Sequence, residues 1–141
     1  MTLTREKLER AFQKAGIIYK ERQSLIMRIL LFLYWQSDHR FEDRPTGRVG
    51  TLIAGQLGLD PSPSLNRIRA VFNEMEKMGL IGLERGARRT YAIWLLDDID
   101  STLIEWMKTR TGWAPTLVVE PESELEEEAV PESLGPRESS R

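Results

Sequence analysis

A chain of 141 residues, 40% apolar and 30% charged, holds material for one domain of roughly 100 residues with a surplus, which excludes a large multidomain enzyme. Formal charge is −2, yet residues 110–141 carry three Arg and eight Glu, a balance of −5 that leaves +3 on residues 1–109. The absence of cysteine excludes a disulfide scaffold, a Cys-type zinc site and a thiol nucleophile. One histidine, His39, lacks the companions a metal needs, so a loop histidine is expected and no metal or cofactor.

From Thr4 to Lys14, Leu8, Phe12 and Ala15 recur at i, i+4 and i+7 among charged neighbours, which predicts a short amphipathic helix interrupted by Gly16. Ile17 to Gln36 predicts a second helix, nearly continuously apolar after Leu25, as suits a central helix touched from several sides. Its apolar window, Leu25 to Trp35, runs eleven residues and contains Arg28. Spanning a bilayer takes ~20, so this is a buried helix and no membrane contact is expected. The run MTLTREKLERAFQKAG has charge at every turn and does not read as a secretory signal; a cytoplasmic location is expected.

His39 to Gly50, with Pro45, Gly47 and Gly50 among charges, predicts a loop with one short extended segment. Thr51 to Leu57 predicts a two-turn helix with Leu52, Ile53 and Leu57 on one face and Gly58 as its stop. Asp60-Pro61-Ser62-Pro63-Ser64 predicts a turn in which Ser62 or Ser64 caps the next helix. That helix runs to about Met78, with Ile68, Val71, Phe72 and Met75 on one stripe and Gly79 as its stop. Leu80 to Leu83 and Thr90 to Leu96 then predict two strands joined by the basic loop Glu84 to Arg89. If Tyr91, Ile93 and Leu95 face the core, Trp94 and Leu96 need cover from the flanking helices. Asp97 to Arg110 predicts a last helix, capped by Asp97 or Asp98, with Ile99, Leu103, Trp106 and Met107 on one stripe. Beyond Gly112, residues 120–141 are rich in Glu, Ser and Pro and too poor in apolar groups to offset ordering entropy, so a disordered tail is expected.

The order helix, turn, helix, hairpin with a basic tip is carried by two phrases, LIAGQLGLDPSPS and IRAVFNEMEKMGLIGLERGARRTYAI. Together they resemble the winged helix-turn-helix superfamily of bacterial and phage transcriptional regulators over about Gly50 to Leu96. The most recognisable part is Met75 to Ile81, where a helix ends on Gly79 and passes straight into a strand. The resemblance implies a mainly α, α+β fold: residues 1–16 as an amino-terminal amphipathic helix, 17–96 as the winged helix-turn-helix domain, 97–110 as a carboxy-terminal helix and 111–141 as the acidic tail. One departure is about four extra residues between Gly58 and Gly79. Either the turn is longer and Ser64 is the cap, or the helix starts one turn early with Pro63 inside it.

What the resemblance implies for function is sequence-specific binding of double-stranded DNA in repressor-like transcriptional control, in a cytoplasmic, nucleoid-associated protein without catalysis. A recognition helix near 64–78 would enter the major groove and a basic wing near 84–90 would flank it. Ser62, Ser64, Asn66, Arg67 and Arg69 suit a leading helix end: Asn pairs bidentately with adenine, Arg with guanine, and Ser hydroxyls reach phosphates. Arg85, Arg88 and Arg89 form the wing tip, with Gly86 permitting a tight turn, and Arg48, Arg40 and Arg44 extend the patch. From residue 62 to residue 92, six basic side chains face three acidic ones.

Plainer readings stand beside these. An Arg-rich hairpin tip is often a solvated turn, and winged helices also serve as protein-docking modules or in replication, plasmid maintenance and chromosome organisation. The glycines 47, 50 and 55 are wrongly spaced for a phosphate loop, and no nucleophile-and-base arrangement is found. The surplus apolar stripes of the terminal helices fit either a two-fold homodimer through those helices or a single domain folding them onto itself. The acidic tail reads as a solubilising end, a competitor for the chain's own basic patch, or a contact for a protein partner.

Overall fold

The computed structural model describes residues 1–44, 46–59, 61–87 and 89–115, without the side chains of 61–64. A two-residue strand, β1 (Thr2–Leu3), leads into helix α1 (Arg5–Ala15), where Thr4 Oγ1 accepts the Lys7 N–H at 3.3 Å as an N-cap. Gly16, at φ 72°, ends the helix. Leu8 and Phe12 are buried, but Ala15 is exposed. The helix stops at that point, and Ile17, whose N–H donates to Phe12 O, takes the buried place instead.

Helix α2 spans Lys20–Tyr34, shorter at both ends than the apolar pattern suggests, because the reversal at Gly16 is followed by extended chain through Tyr19. Eight of its side chains between Leu25 and Leu33 are buried, with Arg28 the single break in that run. A 3-10 turn, Ser37–His39, holds Asp38 and His39 at positive φ and stacks the imidazole on Tyr34 at 5.0 Å. The expected extended segment is β2 (Arg40–Glu42).

Helix α3 (Val49–Gln56) begins two residues earlier than expected, and Gly58 at φ 76° terminates it. Val49, Ile53, Ala54 and Leu57 are buried, whereas Leu52 is exposed on the outer side. Helix α4 runs Pro61–Lys77. Residues 61–64 of the stretch expected as a turn are thus the helix's first turn, with Pro63 inside it. Proline is tolerated there, since first-turn N–H groups lack intrahelical partners. Ile68, Val71, Phe72 and Met75 are all buried, and Gly79 at φ 77° ends the helix region. Gly50 sets the α3–α4 approach, for a Cβ there would lie 3.1 Å from Leu65 Cδ1.

Strands β3 (Ile81–Arg85) and β4 (Thr90–Leu95) form the expected hairpin, and β2 joins the free edge of β4, giving an antiparallel sheet of order β2-β4-β3. Trp94 is covered within this sheet. It sits opposite Gly82, where a Cβ would collide with the indole, and Arg40 lies over the ring at 4.5 Å. The flanking helices are therefore not its cover.

Residues given to the start of the last helix instead make a strand, β5 (Asp98–Ile99), which pairs in parallel with β1. Helix α5 is Ser101–Thr111, preceded by Asp100, so neither Asp97 nor Asp98 caps it. Leu103, Ile104 and Met107 are buried, with Ile99 buried from the strand, while Trp106 is half-buried between Arg5 and Arg110. One apolar core joins α1, α2, α3, α4 and α5 to the sheet. Of the terminal-helix stripes that suggested a homodimer, Leu8, Phe12, Ile99, Leu103 and Met107 are buried within the chain itself. The chain is a mixed α+β structure. Among the described residues no helix is long and apolar enough to cross a membrane. Most of the acidic tail, residues 116–141, lies outside the described residues.

Candidate nucleic-acid interface

The loop between β2 and α3 is organised by one carboxylate. Asp43 accepts hydrogen bonds from Thr46 Oγ1 at 2.6 Å, the Arg48 backbone N–H at 2.7 Å and Arg48 Nε at 3.4 Å. The hydrogen bond from Thr46, then that from the Arg48 backbone, hold its carboxyl below the usual range. This loop is fastened to the hairpin. Asp43 N–H donates to Tyr91 O at 2.9 Å, Arg89 Nη1 donates to Thr46 O at 2.5 Å, and Arg48 bridges Thr90. Gly47, at φ 69°, is pressed against the base of β4: a Cβ there would stand 2.9 Å from Arg89 Cβ and 2.9 Å from Tyr91 Cε1. Only glycine meets both demands, the left-handed backbone and the close approach.

Two clefts open around this junction. One, of about 380 Å³, lies between the start of α3, α4 and β4, and is lined by Thr46, Arg48, Thr51, Leu65, Arg69 and Arg89 among others. The second, of about 350 Å³, lies between α4 and the hairpin, with Arg69, Asn73, Lys77, Arg85 and Arg89 on its walls. Arg69 and Arg89 belong to both. The structure therefore gathers Arg48, Arg69, Arg85 and Arg89 on one surface, together with Lys77 and Asn73, which the sequence reading did not select. Their signal was available: 69, 73 and 77 are successive i+4 positions, one helix face running toward the strand that follows.

Other expected members are placed elsewhere. At 100° per residue, Arg67 stands about 200° around α4 from Arg69. It faces α2, where its charge acts on Arg28, and so does not share the hairpin-side surface. By contrast Asn66, seven residues before Asn73 and so about 20° from it around the helix, is exposed and shares that face of α4. The side chains of Ser62 and Ser64, and the whole of Arg88, lie outside the described residues. Arg40 and Arg44 do not extend the patch as free cations. Arg44 forks onto Glu84 and also meets Glu42, and Arg40 pairs with Glu42 while lying over Trp94. Glu42 and Glu84 accordingly titrate below the ordinary carboxylate range, Glu42 chiefly through its bond to Arg40 and Glu84 through its bond to Arg44.

Arg85 is engaged as well, with Asn73 Oδ1 and Glu76. This holds the end of β3 against the face of α4. Gly86 has a different role from the expected one. Its φ is not positive, and it leaves room for the Tyr91 ring, whose Cε2 would lie 3.1 Å from an added Cβ. The hairpin closes through Gly86 N–H to Arg89 O at 2.9 Å. On the surface so built, Arg48, Arg69, Lys77, Arg85 and Arg89 stand against the carboxylates of Asp43 and Glu76.

No protein-family model, no curated protein and no solved structure matches the chain. The chemistry of the surface must therefore be read from its own residues. A helix face with Arg and Asn, flanked by guanidinium groups on rigid backbone, offers donors to phosphate oxygens and to base edges alike. Among the described residues, no three His, Cys, Asp or Glu side chains come together as a metal would require.

Proposed function

We propose that this chain is a winged-helix-type, sequence-specific binder of double-stranded DNA acting as a repressor-like transcriptional regulator in the cytoplasm. The observation that carries the reading is the convergence of the α3 start, the Arg69–Asn73–Lys77 face of α4 and the Arg85–Arg89 hairpin on one cation-rich surface, locked by the Arg89 to Thr46 bond. Helix α4 then enters the major groove with Asn66, Arg69 and Asn73 toward base edges. The hairpin and the loop ahead of α3 lie on the phosphate backbone. Arg85 is held by Glu76 before DNA arrives, so its reach to phosphate comes through exchange of a carboxylate for a phosphate oxygen.

Selection from a random duplex library with the full chain, followed by salt titration of the enriched sequences, tests this. Enrichment of a defined motif with steep salt dependence is the expected result, and a palindromic motif would add two-fold pairing on DNA. Salt-sensitive binding without enrichment would replace the regulator with a sequence-neutral DNA binder. The ion pairs Arg85–Glu76 and Arg44–Glu84 favour one second reading, a protein-docking module, because they neutralise part of the patch. Absence of duplex binding would select it.

A further inference from the structure

Among the described residues, two cations on the opposite flank of α4 have no partner. Among the described residues, every arginine except Arg28 and Arg67 takes part in a hydrogen bond, an ion pair, a ring contact or another electrostatic interaction with a counterpart. Both lie on the seam where α2 and α4 run antiparallel. At one end of that seam Arg22 of α2 pairs with Glu74 of α4. Six residues further along α2, roughly 9 Å at ~1.5 Å per residue, Arg28 meets the like charge of Arg67. The Nε of Arg28 is buried and finds no hydrogen-bond acceptor. Burial, and then the charge of Arg67, depress the pKa of Arg28.

A shielded donor and two facing cations weaken the free fold unless an anion satisfies them. Glu74, a carboxylate on the same seam, is already taken by Arg22. Arg67 lies two residues from Arg69, about 3 Å along the helix axis, but on the other side of it. A helix in a major groove has a phosphate backbone on each side, and the hairpin supplies cations to one side only.

We propose that Arg28 and Arg67 together hold a DNA backbone phosphate on the flank of α4 opposite the hairpin, so that the helix is clamped from both banks of the groove. The inference rests on the DNA-binding reading above. Guanidinium forks match phosphate oxygens in geometry as well as charge, and the phosphate would supply the acceptor that Nε lacks.

The test uses the full chain carrying Arg67→Ala, Arg67→Glu, Arg28→Met or Arg28→Met with Arg67→Ala, and Lys20→Glu, at the start of α2, as a charge control. Two quantities are measured: the slope of log affinity for duplex against log salt, and the thermal midpoint of the free protein. One phosphate contact is lost in all, so the double variant is expected to flatten the slope by about 0.9 and Arg67→Ala by as much or less, with the thermal midpoint of Arg67→Ala unchanged or higher. Arg67→Glu is expected to raise the midpoint by pairing with Arg28, while weakening binding more than Lys20→Glu does. A lower midpoint for Arg67→Ala would overturn the like-charge arrangement. Wild-type slopes in the Arg67 variants would overturn the second clamp and leave the DNA reading standing on Arg69 and Arg89. No salt-dependent duplex binding by the wild type would overturn both. Arg67 is exposed, so its variants carry the test even where Arg28→Met fails to fold.

Discussion

The helical side of the molecule and the hairpin side are held by different forces. Between α1, α2 and α5 the contacts are apolar: Leu8, Phe12, Leu30, Leu103 and Met107 are buried, and charged groups lie at the rim. The base of the hairpin shares that core through Ile81 and Ile93, but around its outer end the fastening is polar, through Asp43, Arg89, Arg85 and the Arg44–Glu84 fork, all near the surface. Apolar burial is non-directional and insensitive to pH or salt, whereas hydrogen-bonded ion pairs fix orientation and respond to both. The difference teaches that stability and positioning are assigned to separate parts. The helices keep the chain folded, while the polar network aims α4 relative to the hairpin.

The strongest way to break this division is Leu30→Ala on the helical side. Leu30 is fully buried, and deleting its side chain should cost about 2–5 kcal/mol of unfolding free energy. Urea unfolding measures that loss. Duplex affinity, determined where the variant remains folded, should hold near wild type; a parallel collapse of affinity would show that the two sides are not separable.

Next in size is Gly47→Ala. It places a Cβ on a backbone at φ 69° and against Arg89 and Tyr91, for an expected cost of about 1–3 kcal/mol. Unlike Leu30→Ala, it should also weaken duplex binding beyond what the stability loss explains, since it separates the α3 start from the hairpin. Arg89→Ala is smaller still in stability but direct in binding. The salt slope should fall by about one unit uniformly across duplex sequences, with an unfolding free energy within roughly 0.5 kcal/mol of wild type.

The smallest effect is acid sensitivity. Asp43, Glu42 and Glu84 have depressed pKa values in the folded chain. Their contribution is fully present above the unfolded carboxylate range, about 3.9 to 4.3, and is lost as pH falls through the lower folded values. Amide signals of loop 43–48 and of the hairpin should therefore shift below about pH 4 before those of α2 and α5. Adding salt at neutral pH should soften the exposed pairs in the same region. Simultaneous loss of all signals would erase the distinction.

Much of this arrangement was legible in the sequence. The stripe Ile68, Val71, Phe72 and Met75, the interruptions at Gly16, Gly58 and Gly79, and the hairpin are local patterns, and each appears in the structure. What escaped depends on partners distant in the chain. The β1–β5 ladder is two residues long and joins segments almost a hundred residues apart, so neither strand has a periodicity to reveal it. The cover of Trp94 is a register fact, visible only once Gly82 is known to sit opposite. The site was partly legible for the same reason. The arginines at 48, 69, 85 and 89 stand out by type, but the separation of Arg67 from Arg69 follows from which neighbour each face of α4 meets. Likewise Arg40 and Arg44 look free until Glu42 and Glu84 are placed beside them.

The pairing of Thr2–Leu3 with Asp98–Ile99 also sets an order of events during synthesis. Leu3 O accepts the Asp100 N–H at 2.9 Å, so the first strand can dock only after residue 100 has left the ribosome. At roughly 5–20 residues per second the delay is about 5–20 s. In that interval α2, α3, α4 and the hairpin have already been made and can fold together, while α1 waits with Leu8 and Phe12 uncovered. The cation-rich surface is thus complete before the chain is clasped, and the nascent protein's exposure to chaperones is concentrated at α1.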